Sequence, residues 1–338
     1  MKKPILFYSL SIVFLLIGAA LQAQQTLFPI LTDGKWGYID NKGRIVVTPA
    51  FDDARVFSDG MGAVENAGAW GYIDSKGRVA VAPEFGEARD FSDGLAVVWT
   101  HGKWGYIDKT GDFVIVPHFN GADSFSEGFA GVRCVSCCGD KKMFIDKTGK
   151  TVITGPMLLA GPFCEGLASV QFFLSQGRKW WGYIDKNGDI AIQPQASYQV
   201  TGDFSEGLAA VLVGESFEQA RWGYLDAKGI MVIRPQFDEA SRFCAGLARI
   251  AVGQRWGFVD RTGKSKIEPQ FDDACDFSEG LAAVSQGGKW GYIDAKGALV
   301  IPPRFEKASS FCDGIAMVFL EGKTYYVDKA GKFVWRPN

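Results

Sequence analysis

Short runs of alternating apolar and polar residues recur along the chain, and turn residues such as glycine, aspartate and proline separate them. The stretch from Gly280 to Pro303 shows the pattern well. Short runs that end in turn residues predict β-strands. We interpret this stretch as three strands, Leu281 to Val284, Lys289 to Ile293 and Ala298 to Ile301, of which the last two form a hairpin.

The same unit recurs nine times, which makes the chain a tandem array. Trp-Gly marks seven units, two worn copies complete the series, and neighbouring units are 34 to 41 residues apart. The array fills residues 24–338 as a single domain. The units align on Trp36, Trp70, Trp104, Lys142, Trp181, Trp222, Trp256, Trp290 and Thr324.

An Asp-x-x-Gly sequence follows the Trp-containing strand of every unit. Its aspartate caps a turn through the side chain, and its glycine takes the left-handed conformation that a longer hairpin loop needs. A calcium ladder is the alternative, but one carboxylate per unit supplies too few oxygen ligands. The structural turn includes Asp40, Gly43, Asp74, Gly77, Asp108, Gly111, Asp294 and Gly297.

Trp and Tyr lie two residues apart in Trp-Gly-Tyr-Ile-Asp, so both face the same side of their strand. The glycine between them lets a neighbouring backbone or ring approach closely. One interpretation is a row of exposed rings that stack on sugars. The other, which we favour, is that the Trp fills the same core position in each unit, because a residue in every unit is most simply one that packing requires.

The recurring Gly-Lys-Trp-Gly-Tyr-Ile-Asp-x-x-Gly, with Val-Ile-x-Pro-x-Phe-Asp and Phe-Ser-Glu-Gly-Leu-Ala after it, resembles the WG-repeat (KWG-repeat) family of bacterial proteins. The resemblance covers roughly Asp33 to Lys332, although the units at Lys142 and Thr324 lack the Trp-Gly pair. It implies an all-β repeat array, often exported or surface-associated and mostly without known activity. It carries over no catalytic residue.

The predicted fold class is all-β, an array of nine units of three short antiparallel strands. Propellers usually have four to eight blades of four strands, so we favour an open, twisted β-solenoid over a closed β-propeller. An open array needs protected ends. The candidate caps are Thr26 to Leu31 and Lys332 to Asn338.

Residues 1–23 are typical of an export signal peptide. Two lysines precede an apolar run from Ile5 to Leu21, and Leu-Gln-Ala comes directly before Gln24. Cleavage after Ala23 is expected, which places the mature chain in the periplasm, on the outer surface or outside the cell. An uncleaved membrane anchor is the alternative, although seventeen apolar residues are just short of a full span.

The units differ mainly in one connection, which runs from the glycine of Phe-x-x-Gly to the next Trp position. It has 10 residues in five cases but 14 or 15 in three consecutive units. Stacked repeats place equivalent loops side by side, so residues 132–141, 172–179 and 212–220 predict one continuous protrusion, which we call the long-loop edge. Tolerated surface insertions are the alternative. The candidate binding residues are aromatic and basic: Arg133, Lys141, Phe172, Phe173, Arg178, Lys179, Trp180, Phe217 and Arg221.

Seven cysteines leave at least one unpaired. Cys134, Cys137 and Cys138 lie in the first long loop, and a local disulfide there, with Cys164 as a further candidate, is favoured for an exported chain. Free thiols, a zinc site and a redox site are the alternatives. No metal site is predicted, because a structural zinc site needs four ligands.

Two histidines, and paired acids that occupy one repeated position, give little support for catalysis. We therefore predict no enzyme and no cofactor. The mature chain has 34 basic and 38 acidic side chains, which argues against a nucleic-acid partner. The hypothesis is an exported, non-enzymatic scaffold that binds a protein or glycan of the bacterial cell envelope, and the membrane only if the leader is retained. A carbohydrate-binding or carbohydrate-active module that uses Trp and Tyr faces is the first alternative, and an array without a ligand is the second.

Overall fold

A computed structural model describes residues 26–135, 141–174 and 177–337. Their strands form nine small antiparallel sheets, one for each sequence unit. Sheets 2 to 9 have four strands, and sheet 1 has three. All pairings are between strands that follow one another in sequence, so each sheet is a meander and serves as one blade of a ring.

The first three blades contain β1 (Phe28–Thr32), β2 (Lys35–Ile39) and β3 (Ile45–Phe51); β4 (Asp53–Ser58), β5 (Met61–Asn66), β6 (Ala69–Asp74) and β7 (Val79–Phe85); and β8 (Glu87–Ala88), β9 (Ala96–Thr100), β10 (Lys103–Ile107) and β11 (Phe113–Phe119). Blades 4 to 6 contain β12 (Gly121–Ala122), β13 (Phe129–Arg133), β14 (Lys142–Asp146) and β15 (Thr151–Ile153); β16 (Met157–Cys164), β17 (Leu167–Phe173), β18 (Lys179–Asp185) and β19 (Ile190–Gln195); and β20 (Tyr198–Ser205), β21 (Leu208–Val213), β22 (Arg221–Asp226) and β23 (Met231–Phe237). Blades 7 to 9 contain β24 (Glu239–Cys244), β25 (Leu247–Val252), β26 (Arg255–Asp260) and β27 (Ser265–Phe271); β28 (Asp273–Ala274), β29 (Leu281–Gln286), β30 (Lys289–Asp294) and β31 (Leu299–Phe305); and β32 (Lys307–Ala308), β33 (Ile315–Leu320), β34 (Lys323–Asp328) and β35 (Phe333–Trp335).

Each four-stranded blade has one strand more than the sequence predicts. The additional strand comes first, and in four blades it is only two residues long, as in Glu87–Ala88. Two residues are too few to show an alternating pattern, which is why the sequence did not reveal the strand in those four blades. The first strands of blades 5, 6 and 7 contact one another, which places them nearest the axis.

The prediction of an open solenoid is wrong, because the array closes into a nine-bladed β-propeller. Blade 9 packs on blade 1 through a buried cluster that includes Phe28, Ile30, Tyr326 and Trp335. Across this seam the Tyr326 hydroxyl donates a hydrogen bond to the Pro29 carbonyl oxygen at 2.7 Å. The segments predicted as end caps therefore meet each other. Blade number alone was a poor guide, because the contacts between blades set the angle from one blade to the next.

One contact repeats between neighbouring blades. The Tyr of each Trp-Gly-Tyr packs against a Phe that lies in the next blade, in or just after its first strand. Tyr72 and Phe91 are an example, edge-on at 4.8 Å between ring centroids. The Tyr72 hydroxyl also donates to the Arg89 carbonyl oxygen at 2.7 Å. The glycine of each Asp-x-x-Gly turn lies against the last strand of the preceding blade, as Gly77 does against Val47. These contacts fix each blade to the next.

The glycine beside each Trp is required by the fourth strand. A Cβ atom at Gly37 would lie 2.5 Å from the Val47 carbonyl oxygen and 2.7 Å from the Pro49 nitrogen. The register between β2 and β3 slips at this point, so the strand containing Pro49 bulges over the glycine. Proline cannot donate to a further strand, so it also protects the outer edge of the sheet. The close approach predicted from the sequence is therefore present.

Blade 4 shows what happens without this glycine. Met143 stands in its place, and β15 pairs with β14 only as far as Phe144 and Ile153. In the seven blades that have the Trp-Gly pair, the last strand continues until a residue lies opposite the Trp, which is Phe in six of them and Gln195 in blade 5. Blade 4 therefore lacks the outer half of its fourth strand, which leaves the start of β14 without a partner on that side among the described residues.

Candidate functional site

The aspartates of the Asp-x-x-Gly turns bond to their own turns. Asp40 accepts hydrogen bonds from the backbone N–H groups of Lys42 and Arg44, each at 2.9 Å, and Gly43 has a φ of 79°. The turns of Asp74, Asp108 and Asp294 repeat this arrangement with Gly77, Gly111 and Gly297. The carboxylates are thus engaged by their own loops, and no group of three or more potential metal ligands occurs within the described ranges.

A hydroxyl group strengthens three of these turns. In the turn that begins at Asp260, the Thr262 side chain donates to the carboxylate at 2.6 Å. This hydrogen bond is the main reason why the pKa of Asp260 is lowered to about 2. Thr110 and Thr148 lower the pKa of Asp108 and Asp146 in the same way.

The repeated aromatic residues form the core more than the surface. The Tyr side chains of the Trp-Gly-Tyr sequences are fully buried, and burial raises the pKa of Tyr38 far above its usual range. The Trp rings are half-buried and pack against the clusters between blades. Three of them are covered by an arginine of their own blade. Arg55 lies over Trp70 and Arg249 over Trp256, each at 4.6 Å from the ring centroid, and Arg89 lies over Trp104 at 5.0 Å. A ligand cannot reach the Tyr faces without unfolding a blade.

The three long loops connect the second and third strands of blades 4, 5 and 6, so they project from one side of the ring on adjacent blades. Residues 136–140, 175 and 176 lie outside the described residues. Among the described loop residues, Phe173 is 46% and Phe217 is 64% exposed, and Val135 is 54% exposed. Large apolar side chains therefore reach solvent on all three loops.

Other predicted residues of the long-loop edge hold it in place. Phe172 is only 6% exposed and belongs to the core of blade 5. Arg133 donates to the Leu158 carbonyl oxygen of the next blade at 2.8 Å, and Arg221 pairs with Asp238 at 3.3 Å.

The remaining residues of the edge are more open. Arg178 lies over the half-buried Trp180 ring at 5.1 Å. Lys141 and Lys179 are exposed. The edge therefore combines anchoring residues with aromatic and basic side chains that a partner could reach.

A cleft of about 400 Å³ lies at the blade 4 end of this surface. It forms where the fourth strand stops early, between Lys141, Met143 and Pro156. Lys142 stands in the Trp position and forms an ion pair with Asp123. The sequence analysis did not predict this cleft. The loss of the Trp-Gly pair was the available signal, because it removes the glycine that the returning strand needs.

The cysteines divide into two groups. Cys134 is buried and disulfide-bonded, whereas Cys137 and Cys138 lie outside the described residues. Cys164 is a free thiol, as are Cys244, Cys275 and Cys312. Burial raises the pKa of Cys164 to about 11, so this thiol is a poor nucleophile at neutral pH.

The chain belongs to the WG-containing-repeat family. Its family model matches residues 36–68, 70–104, 104–134, 181–215, 222–255, 256–290 and 290–323, which together make up more than half of the sequence. The match confirms the resemblance seen in the sequence. No curated protein matches the chain.

Several solved structures are similar in fold. A variant of KlHsv2 with loop 6CD replaced by a Gly-Ser linker shares 10% identity over 77% of this chain and 89% of that one, with a TM-score of 0.43. PorZ, a surface component of the type-IX secretion system of Porphyromonas gingivalis, shares 10% over 90% of this chain and 45% of its own, with a TM-score of 0.36. Puromycin hydrolase shares 12% over 92% and 53%, with a TM-score of 0.42. This chain spans about half the length of the last two, and at these scores the similarity carries no functional argument.

Proposed function

We propose that this protein is an exported, non-enzymatic scaffold and that the long-loop edge of blades 4 to 6 binds a protein or glycan of the cell envelope. The observation that carries the proposal is the exposure of Phe173 and Phe217 on neighbouring long loops. Exposed aromatic side chains that lie together on a rigid surface are typical of binding sites. Export rests on the leader in the sequence. Within the described residues, no helix is long and apolar enough to cross a membrane.

The anchoring contacts support this proposal. Arg133 ties the first long loop to blade 5, and Arg221 ties the end of the third loop to Asp238. A surface held in this way loses little conformational freedom on binding, which favours affinity. Basic side chains beside the aromatic rings favour a partner with acidic groups.

The geometry gives less support to a sugar-binding module that uses the repeated Trp and Tyr faces. The Tyr rings are buried, and Arg55 and Arg249 cover two of the Trp rings. Sugar stacking needs an open aromatic face. We therefore place the binding surface where the blades differ and not where they repeat.

The test is capture of partners from an envelope extract by the exported chain and by a Phe173→Ser/Phe217→Ser variant. Both side chains reach solvent, so the variant should fold as the parent does. We expect it to lose at least about tenfold of a specifically captured partner, the loss expected from two contact residues of about 1 kcal/mol or more each. Val252→Ser is the matched control, because Val252 is 45% exposed and ends the second strand of blade 7, where the connection is short. Equal capture by parent and double variant, or no capture by the parent, would contradict the proposal.

A further inference from the structure

Among the described residues, blade 1 has no counterpart of the strand that comes first in every other blade. Its sheet is β1, β2 and β3, and β1 pairs only with β2 among the described residues. In blade 2 the corresponding strand β5 pairs with β4 on one side and with β6 on the other. The backbone edge of β1 that faces the axis is therefore open to a further strand.

The neighbouring blades show the consequence of the missing strand. Phe57 in the first strand of blade 2 is partly exposed, whereas its equivalents in the other blades are buried. Val56 beside it is 59% exposed. On the other side, the Tyr326 hydroxyl donates to the Pro29 carbonyl oxygen in β1, whereas the equivalent hydroxyl of Tyr38 donates to the Arg55 carbonyl oxygen in the first strand of blade 2.

A cavity of about 360 Å³ occupies the place of the missing strand. Phe28, Val56, Phe57, Ile315 and Met317 contribute to its largely apolar lining. Cavities of this size and polarity accept apolar side chains. The site is at the seam between blades 9, 1 and 2, away from the long-loop edge, so it is independent of the proposed function.

Phe28 determines which residues fit. In the other blades the position paired with the Phe of the first strand is small, as Gly62 is opposite Phe57. In blade 1 the equivalent residue is Phe28, and its ring packs edge-on against Tyr326 at 5.7 Å between centroids. Blade 1 therefore carries its large residue in β1, which corresponds to the second strand of the other blades, whereas the other blades carry it in or just after the first strand. A strand that enters here must carry a small residue opposite Phe28, because a second large ring would overpack the site.

A second position is also restricted. In blade 2, Ala54 lies three residues before Phe57, pairs with Val64 and is buried. Other blades also have a buried Ala at this position. The entering strand therefore needs two small residues three apart. Predicted cleavage after Ala23 leaves only Gln24 and Gln25 before Thr26, which are too few to supply this strand.

We propose that the open edge of blade 1 binds an extended segment of a partner polypeptide with the pattern small-x-x-small, which adds the missing fourth strand by β-augmentation. Main-chain hydrogen bonds to β1 supply affinity, and the cavity selects the side chains. The small residue nearest the turn lies opposite Phe28.

The probe is a fluorescent synthetic peptide with the sequence of residues 16–23, which contains Ala20 and Ala23 at the required spacing. Its binding to the exported chain is measured by fluorescence anisotropy, after mass spectrometry has identified the N-terminus of that chain. A second peptide carries Phe in place of Ala23. We expect the parent protein to bind the Ala peptide at least tenfold more tightly than the Phe peptide. Phe28→Ala should reverse this preference, because it restores the small residue that the other blades have.

A second pair of variants keeps the test independent of the Phe28 change. Val56→Glu places a charge at the rim of the cavity and should weaken binding of the Ala peptide at least tenfold. Val116→Glu is the matched control, because Val116 is 65% exposed on the fourth strand of blade 3, and it should leave binding unchanged. No saturable binding, equal affinity for the two peptides, or an unaffected Val56→Glu variant would overturn the proposal. The proposal would also be overturned if the exported chain keeps residues 16–23 and binds no peptide, because that segment of the chain itself would then occupy the edge of β1.

Discussion

Closure of the ring can be tested with three glycines that share one backbone conformation. Gly43, Gly68 and Gly77 have φ values of 79°, 81° and 78°. A Cβ atom on Gly43 would lie 2.2 Å from the Val334 carbonyl oxygen, across the seam between blades 1 and 9. A Cβ atom on Gly77 would meet Val47 of the preceding blade at 2.5 Å, whereas one on Gly68 would meet nothing within 4 Å.

These distances predict different costs for substitution by alanine. All three changes place an L residue in the left-handed region, at a cost of about 1–2 kcal/mol. At Gly43 and Gly77 the added methyl group must also displace a neighbouring blade, which costs about 1–3 kcal/mol more by analogy with overpacked cores. At about 2 °C per kcal/mol for a chain of this size, the clash alone should lower the melting temperature by about 2–6 °C.

The assay is thermal unfolding of the parent and the three variants, followed by circular dichroism, with refolding checked after each scan. We expect Gly43→Ala and Gly77→Ala to melt below Gly68→Ala. An open array gives another order, because Gly43 would then lie in a terminal unit with no neighbour, while Gly77 would still meet Val47. Equal melting temperatures for Gly43→Ala and Gly68→Ala, with Gly77→Ala lower, would refute the closed ring.

Three further predictions concern stability. Tyr292→Phe should lower the free energy of unfolding by about 1 kcal/mol, because it removes a partly buried hydrogen bond to the next blade, and urea unfolding measures this loss. Asp260→Asn should cost about 1 kcal/mol at pH 7 through weakened turn hydrogen bonds. Because the pKa of Asp260 is lowered in the folded state, this contribution is present above about pH 4 and fades as the pH falls towards 2, so parent and variant should converge there in acid unfolding. Phe172→Ala should destabilise the protein by about 3–5 kcal/mol and Phe217→Ala by less than about 0.5 kcal/mol, and a similar melting temperature for the two would contradict the burial seen here.

The local features of each unit could be predicted because they depend on residues close together in sequence. Asp-x-x-Gly forms its turn through hydrogen bonds that span four residues, so the sequence is sufficient to identify it. The glycine beside Trp36 implies a close backbone approach, although the sequence does not say that the approaching segment contains Pro49. The family match agrees with this reading of the repeat.

Closure could not be predicted because it depends on contacts nearly the whole chain apart. Tyr326 and Pro29 are 297 residues apart. Nothing in either residue indicates that blade 9 returns to blade 1, since the same Tyr would occur in an open array. The three long loops lie on adjacent blades, but the periodic pattern did not show that Phe172 points into the core while Phe173 points outward. That distinction follows from the alternation of side chains along β17 once its register is known.

Irregular blades explain where a ring of similar units can acquire distinct surfaces. A regular blade hides its edges, because its first strand lies among its neighbours near the axis and proline protects its fourth strand. Two departures from this pattern stand out. Met143 accompanies the short fourth strand of blade 4, and Phe28 accompanies the edge of β1 that has no partner among the described residues. Each departure coincides with a cavity, one beside the long loops and one at the seam. At both surfaces, a large residue stands where the other blades have a small one. The variants Met143→Gly and Phe28→Ala, which introduce the residue type of the other blades, are therefore the most direct way to ask what each surface binds.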